Sequence, residues 1–435
     1  MVTQVQISDL EYEVTPPLSI REHETIEFLG ENLEILDDEK ELEEFLKEKE
    51  ISIIETKKGI QISAGRYIGS VEFSHFILTI NPQFTKLKNI GKLIDYAYDL
   101  KDEDILDYEI KFNEKEDNPM ELIIQIFTNQ CKKLLQKGLA KSYQVHQETV
   151  PFLRGKLLLQ QQIKNQSKFN LQFACEFDEF TANIVENQIL MFTLDICYHL
   201  TSSYHRKSTI KKIIYQMDGE VELRSIGFED FKKVNYTRLN SHYKKPHILA
   251  KLILRHLGLL DFKKQSASFI VPYFIPMFQV FEDFLTKLFD NDDYYELTID
   301  DQVPTPSWEI NGSLHNIIPD IITYSTKSPK EGAEISIIDA KYMVGTNFGK
   351  GKEDYQIAFY LNDYKKKVGY AILPMSHDKK EDIPQNFIAP NQDIKICVRF
   401  IDIDLILDWV YSREDKSKKI NDYLKELVPL EPILN

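Results

Sequence analysis

The stretch PDIITYSTKSPKEGAEISIIDAKYM, residues 319–343, concentrates the residue types most able to do chemistry. An apolar run, Ile335, Ile337 and Ile338, ends on Asp339 and then Lys341. Side chains alternate along a strand, so Asp339 and Lys341 share one face while Ala340 points away. Asp-x-Lys recurs along the chain and means little alone. Only this copy closes an apolar strand and follows a Pro-Asp pair, and Pro319-Asp320 is the single Pro-Asp of the sequence. Asp320 opens DIITY, which the polar loop 325–334 joins to EISIIDAKY, so the spacing predicts a hairpin with Asp320 beside Asp339. Glu282 is a third acid. It lies four residues after Phe278 and three before Leu285 in the helical segment IPMFQVFEDFLTKLFD, at the edge of the apolar stripe.

Two readings of this cluster follow. In one, Lys341 and Asp320 form a cross-strand salt bridge of small value and Glu282 is simply exposed. In the other, carboxylates a few ångströms apart recruit a cation, and hard oxygen donors without His or Cys select Mg²⁺ or Mn²⁺. Asp320, Asp339 and the carbonyl of Ala340 would hold the metal. Lys341 would orient a water and offset charge growing on a phosphorus. Uncatalysed phosphodiester hydrolysis is slow enough to need accelerations on the order of 10¹⁷.

The elements that must position these residues read as three segments. Residues 1–118 give short strands, ISIIET, IQISAG and FSHFILTINPQF, with helical spacing in DDEKELEEFLKEKE and IGKLIDYAYDL. Residues 119–265 are helix-rich, with long helices expected from Pro119 to Gly138, over 182–203 and over 247–260, and a hairpin-like VPFLRGKLLLQQQIKN between. Residues 266–435 read helix, strands, helix, strands: a mixed sheet flanked by helices, with a basic glycine loop GTNFGKGK before the helix EDYQIAFYLNDYKKK. The fold class expected is α+β.

Charge divides the chain further. The net charge of −16 argues against nucleic acid, but residues 1–50 hold 4 Lys and Arg against 16 Asp and Glu, while residues 121–264 hold 22 against 13. A basic middle fits DNA through counterion release, and solvated helix faces give the same count. The stretch FKKVNYTRLNSHYKKP at 231–246 alternates aromatic and basic residues, which suits a nucleic-acid backbone or the edge of a helix bundle. The four cysteines, Cys131, Cys175, Cys197 and Cys397, form no C-x-x-C pair. They read as reduced thiols of a cytoplasmic protein, and His242 and His247 as packing residues. No run is long and apolar enough to span a membrane.

The Pro-Asp, Asp-x-Lys and upstream helical acid together resemble the PD-(D/E)xK nuclease superfamily. More of the chain resembles the McrC family, the nuclease subunits of McrBC-type modification-dependent restriction systems. In order, GRYIGSVEFSHFILTINPQF, KGLAKSY, PFLRGKLLL, CEFDEFTANIVENQIL, YTRLNSHYKKPHILAKLIL, PMFQVFEDFL, IIPDII, IIDAKYM and DYQIAFY carry the likeness, from about residue 65 to 360. NPQF departs from the Pro-Lys expected there, and the first fifty residues match least. The resemblance implies a PD-(D/E)xK endonuclease domain over 266–435, with Asp320, Asp339 and Lys341 in the motif positions and Glu282 as a fourth catalytic residue. It implies that the segment before it docks on a hexameric AAA+ GTPase ring of McrB type, inserts a projection into the pore and stimulates GTP hydrolysis. Double-stranded DNA, modified at cytosine, is the implied substrate. Lys350 and Lys352 of the glycine loop and Gln356 after it are the DNA-contact candidates, and Arg154 the partner-contact candidate, although an arginine before a glycine turn also serves as an anchor. GTNFGKGK lacks the hydroxyl residue that a phosphate-binding loop requires after its lysine. A non-catalytic activator of a ring NTPase, or a stand-alone repair nuclease, are the alternatives.

Overall fold

The computed structural model describes residues 3–6, 17–30, 33, 35–36, 39–100, 119–166, 172–201, 203–256, 273–291, 298–301, 308–310, 313–315, 319–324, 335–349, 353–376, 382–389 and 394–429. Its elements form a mixed α/β architecture with several sheets. The chain divides into two compact units, one built from residues 1–122 with 256–435, the other from 123–255.

The first unit joins the two outer segments that composition separates, and backbone pairing gives the reason. Strand Tyr273–Pro276, which leads directly into helix Met277–Phe289, is hydrogen-bonded to Tyr67–Glu72 in a sheet completed by Ile77–Asn81 and Pro17–Arg21. Gly69 faces Phe274 in this pairing, and a Cβ there would stand 2.0 Å from the Tyr273 carbonyl oxygen, so only glycine lets the strands meet. Sequence order hides such a strand: it is four residues long and buried throughout. A second sheet, ordered Thr3–Gln6, Thr25–Leu29, Gly59–Ser63 and Ser52–Thr56, packs Phe28, Ile53, Ile60 and Ile62 into the same apolar cluster as Leu18, Ile20, Leu78, Ile80 and Phe274.

The six-stranded sheet of this unit runs Thr298–Asp301, Ile321–Tyr324, Ile335–Ala340, Val368–Pro374, Ile394–Ile401, Gln385–Ala389. Ile321–Tyr324 pairs antiparallel with Ile335–Ala340, as the expected hairpin requires; the loop 325–334 lies outside the described residues. Ile335–Ala340 then pairs parallel with Val368–Pro374. A parallel neighbour needs a crossover, and helix Glu353–Asp363 provides it, burying Ile357, Tyr360 and Leu361 with Ile337, Ala371 and Leu373. Ile321, Ile322, Ile337 and Ile338 are all fully buried, the signature of strands covered on both faces. Helices Ile403–Val410 and Ser417–Leu427 close the chain, Asp404 accepting hydrogen bonds from Thr85, Lys86 and Asn89.

The three expected long helices are observed at Pro119–Lys137, Val185–Leu200 and Lys244–His256, together with Tyr204–Met217, which periodicity did not single out. The second unit is less purely helical than composition implies. Ser142–Val150 and Phe173–Thr181 form a nine-residue antiparallel ribbon, edged by Lys156–Leu157. Most positions of Ser142–Val150 are exposed, so no apolar alternation marks it as a strand.

Candidate active site

The register that sets Ile321 opposite Ile338 continues outward to put Asp320 beside Asp339, at the edge where both strands end. The backbone N–H of Ala340 donates to Asp320 Oδ2 at 2.7 Å, which pins one acid to the strand that carries the other. Asp339 is fully buried, and its Oδ2 stands 2.5 Å from Lys341 Nζ. That is an ion pair by distance, yet neither Asp339 oxygen receives a well-directed hydrogen bond. Asp339 and Lys341 share a face, as strand alternation requires.

Burial is the largest influence on both acids and raises the pKa of each, with the negative charge of Asp339 adding to the effect at Asp320. Lys341 acts in the opposite direction on both but does not overcome burial. Glu282, half-buried on helix Met277–Phe289, is close enough for its charge to raise Asp339 further. The structure thus brings Asp320, Asp339, Lys341 and Glu282 to one place.

Gln356 joins them in a way the sequence did not indicate. Its Oε1 accepts from Lys341 Nζ at 2.9 Å, and its Nε2 donates to the Tyr360 hydroxyl at 2.6 Å. Residues four apart lie on one helix face, so a Gln and a Tyr at that spacing on the crossover helix could have been noticed as a pair facing the sheet. Burial and the nearby Asp339 push the Tyr360 hydroxyl up to about 12. Lys350 and Lys352 lie outside the described residues.

For a metal, the donor set is two carboxylates and the backbone of Ala340. Among the described residues no three His, Cys, Asp or Glu side chains stand close enough to hold an ion, so Glu282 does not complete a three-side-chain cage. The buried carboxylate of Asp339, whose Oδ1 accepts no hydrogen bond while Oδ2 faces only the Lys341 ammonium, is nevertheless what a hard divalent cation would satisfy, and oxygen-only donors fit Mg²⁺ or Mn²⁺.

In the second unit, Arg154 is exposed: its guanidinium stacks 4.0 Å over the Phe177 ring, 3.9 Å from Glu179. Gly155 next to it has φ +68°, and a Cβ there would meet the Glu176 carbonyl at 2.3 Å, so the turn needs glycine. Around this ribbon Tyr143, Val145, Phe152, Leu153, Leu159 and Phe180 are exposed. The aromatic and basic stretch 231–246 is mixed: Lys232, Lys233, Arg238 and Lys244 are exposed, while several of its side chains have partners within the unit. Tyr243 is buried and donates to Asn187, Lys233 pairs with Asp230, and Lys244 lies over the Tyr236 ring. Asn187 bridges Ala140 and Ala182. His247 is a packing residue, bonded to Tyr236 and the Glu186 carbonyl, and burial pushes its pKa down to about 4. All four cysteines are buried free thiols.

Residues 62–374 match the family model of the McrBC 5-methylcytosine restriction system component. The chain belongs to this family. Its fold is similar to that of a chain in the refined half-complex from a tetradecameric assembly of Thermococcus gammatolerans McrB AAA+ hexamers with bound McrC, at 18% identity and a TM-score of 0.58, covering 95% of this chain and 100% of that one. A chain in the cryo-EM structure of the Thermococcus gammatolerans McrBC complex matches at 21% identity and a TM-score of 0.45, covering 63% of this chain and 88% of that one. No curated protein matches. As a family member, the chain is a restriction-system component, and among its described residues no helix is long and apolar enough to cross a membrane.

Proposed function

We propose that this chain is the DNA-cleaving subunit of a 5-methylcytosine-directed restriction system, a metal-dependent endonuclease of the PD-(D/E)xK type that works with an AAA+ GTPase ring of McrB type. The observation that carries the reading is geometric: the hairpin register and the 2.7 Å bond from the Ala340 N–H to Asp320 Oδ2 set Asp320 beside the fully buried Asp339, whose Oδ2 lies 2.5 Å from Lys341 Nζ. Burial raises both acids despite Lys341, and perturbed acids held together in this way mark sites of chemistry.

In this reading Asp320, Asp339 and the Ala340 carbonyl would hold Mg²⁺, which when bound would polarise a phosphate oxygen and make a nearby water more acidic. Lys341, oriented by Gln356, places its ammonium beside the reacting phosphate and offsets the negative charge that develops there. Glu282 adds negative charge that favours a cation at Asp339. The exposed apolar and aromatic residues on the ribbon around Arg154 suit a protein partner, and the assembly named for the similar solved structure makes a McrB-type ring the partner of choice. Lys350 and Lys352 remain proposed DNA contacts, with Gln356 acting first on Lys341.

The test is cleavage of plasmid DNA with and without 5-methylcytosine, with Mg²⁺, GTP and the ring partner. Asp339→Ala and Lys341→Ala are expected to abolish cleavage while folding and stimulation of GTP hydrolysis survive. Stimulation of GTP hydrolysis with no Asp339-dependent cleavage would leave a non-catalytic activator. Cleavage independent of the partner and of methylation would favour a repair nuclease.

A further inference from the structure

We infer that Glu22, in the turn that follows the Pro17–Arg21 strand, and Tyr342, the residue after Lys341, form a positioning link that sets the active lysine; the inference rests on the nuclease reading above. Tyr342 follows Lys341 at the end of the strand, where the Lys341 N–H still bonds the Ile372 carbonyl at 2.9 Å. The Met343 N–H then bonds the Lys341 carbonyl at 3.0 Å, closing a tight turn centred on Tyr342, so whatever fixes Tyr342 also fixes the backbone from which the Lys341 side chain departs.

Tyr342 is held on every side. Its hydroxyl donates to Glu22 Oε2 at 2.8 Å, a bond across 320 residues of sequence. Its ring centroid lies 5.0 Å from Phe84, 5.6 Å from Phe281 and 6.0 Å from His23. Phe281 is the residue before Glu282, so one ring touches both the helix bearing the third acid and the turn bearing Glu22.

Glu22 is itself immobilised. It is fully buried, its backbone N–H bonds the Asn81 carbonyl at 3.0 Å, and its Oε2 also accepts the Gln83 N–H at 3.1 Å. His23 beside it takes a left-handed backbone conformation, φ 61°, at the end of the Pro17–Arg21 strand. A buried acid with one unpartnered oxygen, Oε1, is an expensive way to hold a tyrosine that its aromatic neighbours already pack. What the carboxyl adds is direction: it fixes where the hydroxyl, and through the backbone the ammonium of Lys341, must sit. Lys341 then meets Asp339 at 2.5 Å and Gln356 at 2.9 Å.

Tyr342→Phe keeps the ring and removes only the bond; Glu22→Leu removes the acceptor; Glu22→Gln keeps an acceptor oxygen. The measurement is single-turnover cleavage by the full chain with its ring partner, on DNA carrying 5-methylcytosine, with the DNA concentration at half-maximal rate determined separately. Tyr342→Phe and Glu22→Leu are expected to lower the maximal rate about 10- to 100-fold with half-saturation unchanged, and Glu22→Gln to stay within about threefold of wild type. Equal maximal rates per folded molecule for wild type, Tyr342→Phe and Glu22→Leu would overturn the link while leaving the nuclease reading intact. Should Glu22→Leu fail to fold, Tyr342→Phe alone decides. Absence of Asp339-dependent cleavage in the wild type would overturn the nuclease reading and this inference with it.

Discussion

Replacing Glu22 by glutamine should stabilise the protein in a way that depends on pH, independently of any effect on cleavage. Burial, the largest influence, pushes the Glu22 carboxyl up from 4.5 to about 8, against the opposing hydrogen bonds from Gln83 and Tyr342. An acid whose folded pKa is raised keeps its full contribution below the unfolded value and loses stability as pH climbs through the folded value. The loss therefore begins near pH 4.5 and is complete above about pH 8. At 1.36 kcal/mol per unit it reaches about 5 kcal/mol, of which about 3 kcal/mol is already present at pH 7. The amide of Glu22→Gln would not ionise, and its oxygen can accept from Gln83 and Tyr342. The neighbours do not confuse the measurement. His23 is pushed down to about 4, chiefly by burial, and is neutral over all but the acid edge of the window, while Tyr342 is raised well above its ordinary value. The Glu50–Arg66 pair near His23 stays ionised throughout. Trp308 and Trp409 both belong to the unit that contains Glu22, so tryptophan fluorescence reports its melting. The variant should melt with wild type at pH 4.5 and roughly 6 °C above it at pH 7, taking about 2 °C per kcal/mol for a domain of this size. A difference that is flat between pH 4.5 and 8.5 would refute the account of Glu22 as an acid held uncharged by burial.

Other perturbations have equally defined outcomes. Gln356→Leu removes the acceptor for Lys341 and should reduce the cleavage rate about 10- to 100-fold, measured by single turnover, with folding unaffected. Arg154→Ala should move the melting temperature little, because its ion pair with Glu179 is exposed and long, yet weaken stimulation of the ring partner's GTP hydrolysis in a coupled assay. Acid should loosen the second unit through His247: its folded pKa is lowered, so stability falls as pH drops from about 6.5 to about 4, by about 3 kcal/mol in total. Circular dichroism of His247→Gln against wild type should show a smaller acid loss in the variant.

Which features were legible in the sequence depends on where their causes sit. The acid pair was legible because everything that aligns Asp320 with Asp339 is local: two apolar runs, one hairpin and strand alternation. Ile321, Ile322, Ile337 and Ile338 had to be buried, and once they are, Asp320 and Asp339 have only one register available. Helix Met277–Phe289 was legible for the same reason, since its stripe is periodic. Strand Tyr273–Pro276 was not, because its partner strand, Tyr67–Glu72, lies far upstream and nothing in YFIP names it. The ribbon strand Ser142–Val150 was missed for the opposite reason. It is held by backbone pairing with Phe173–Thr181, and its exposed side chains show no alternation to read.

Glu22 and Tyr342 show the same limit at the site itself. A glutamate after a short strand reads as one more acid in a segment full of them, and only the folded chain shows that it is buried against the residue beside Lys341. Chemistry that adjacent residues perform together can be found in a sequence. The residues that aim it belong to other segments, and their meaning is set by partners at sequence separations no periodicity spans. If Tyr342→Phe slows cleavage while leaving DNA saturation unchanged, the first sheet is part of the catalytic apparatus rather than a neighbouring domain. The joining of residues 1–122 with 256–435 in one unit would then have a functional as well as a packing cause.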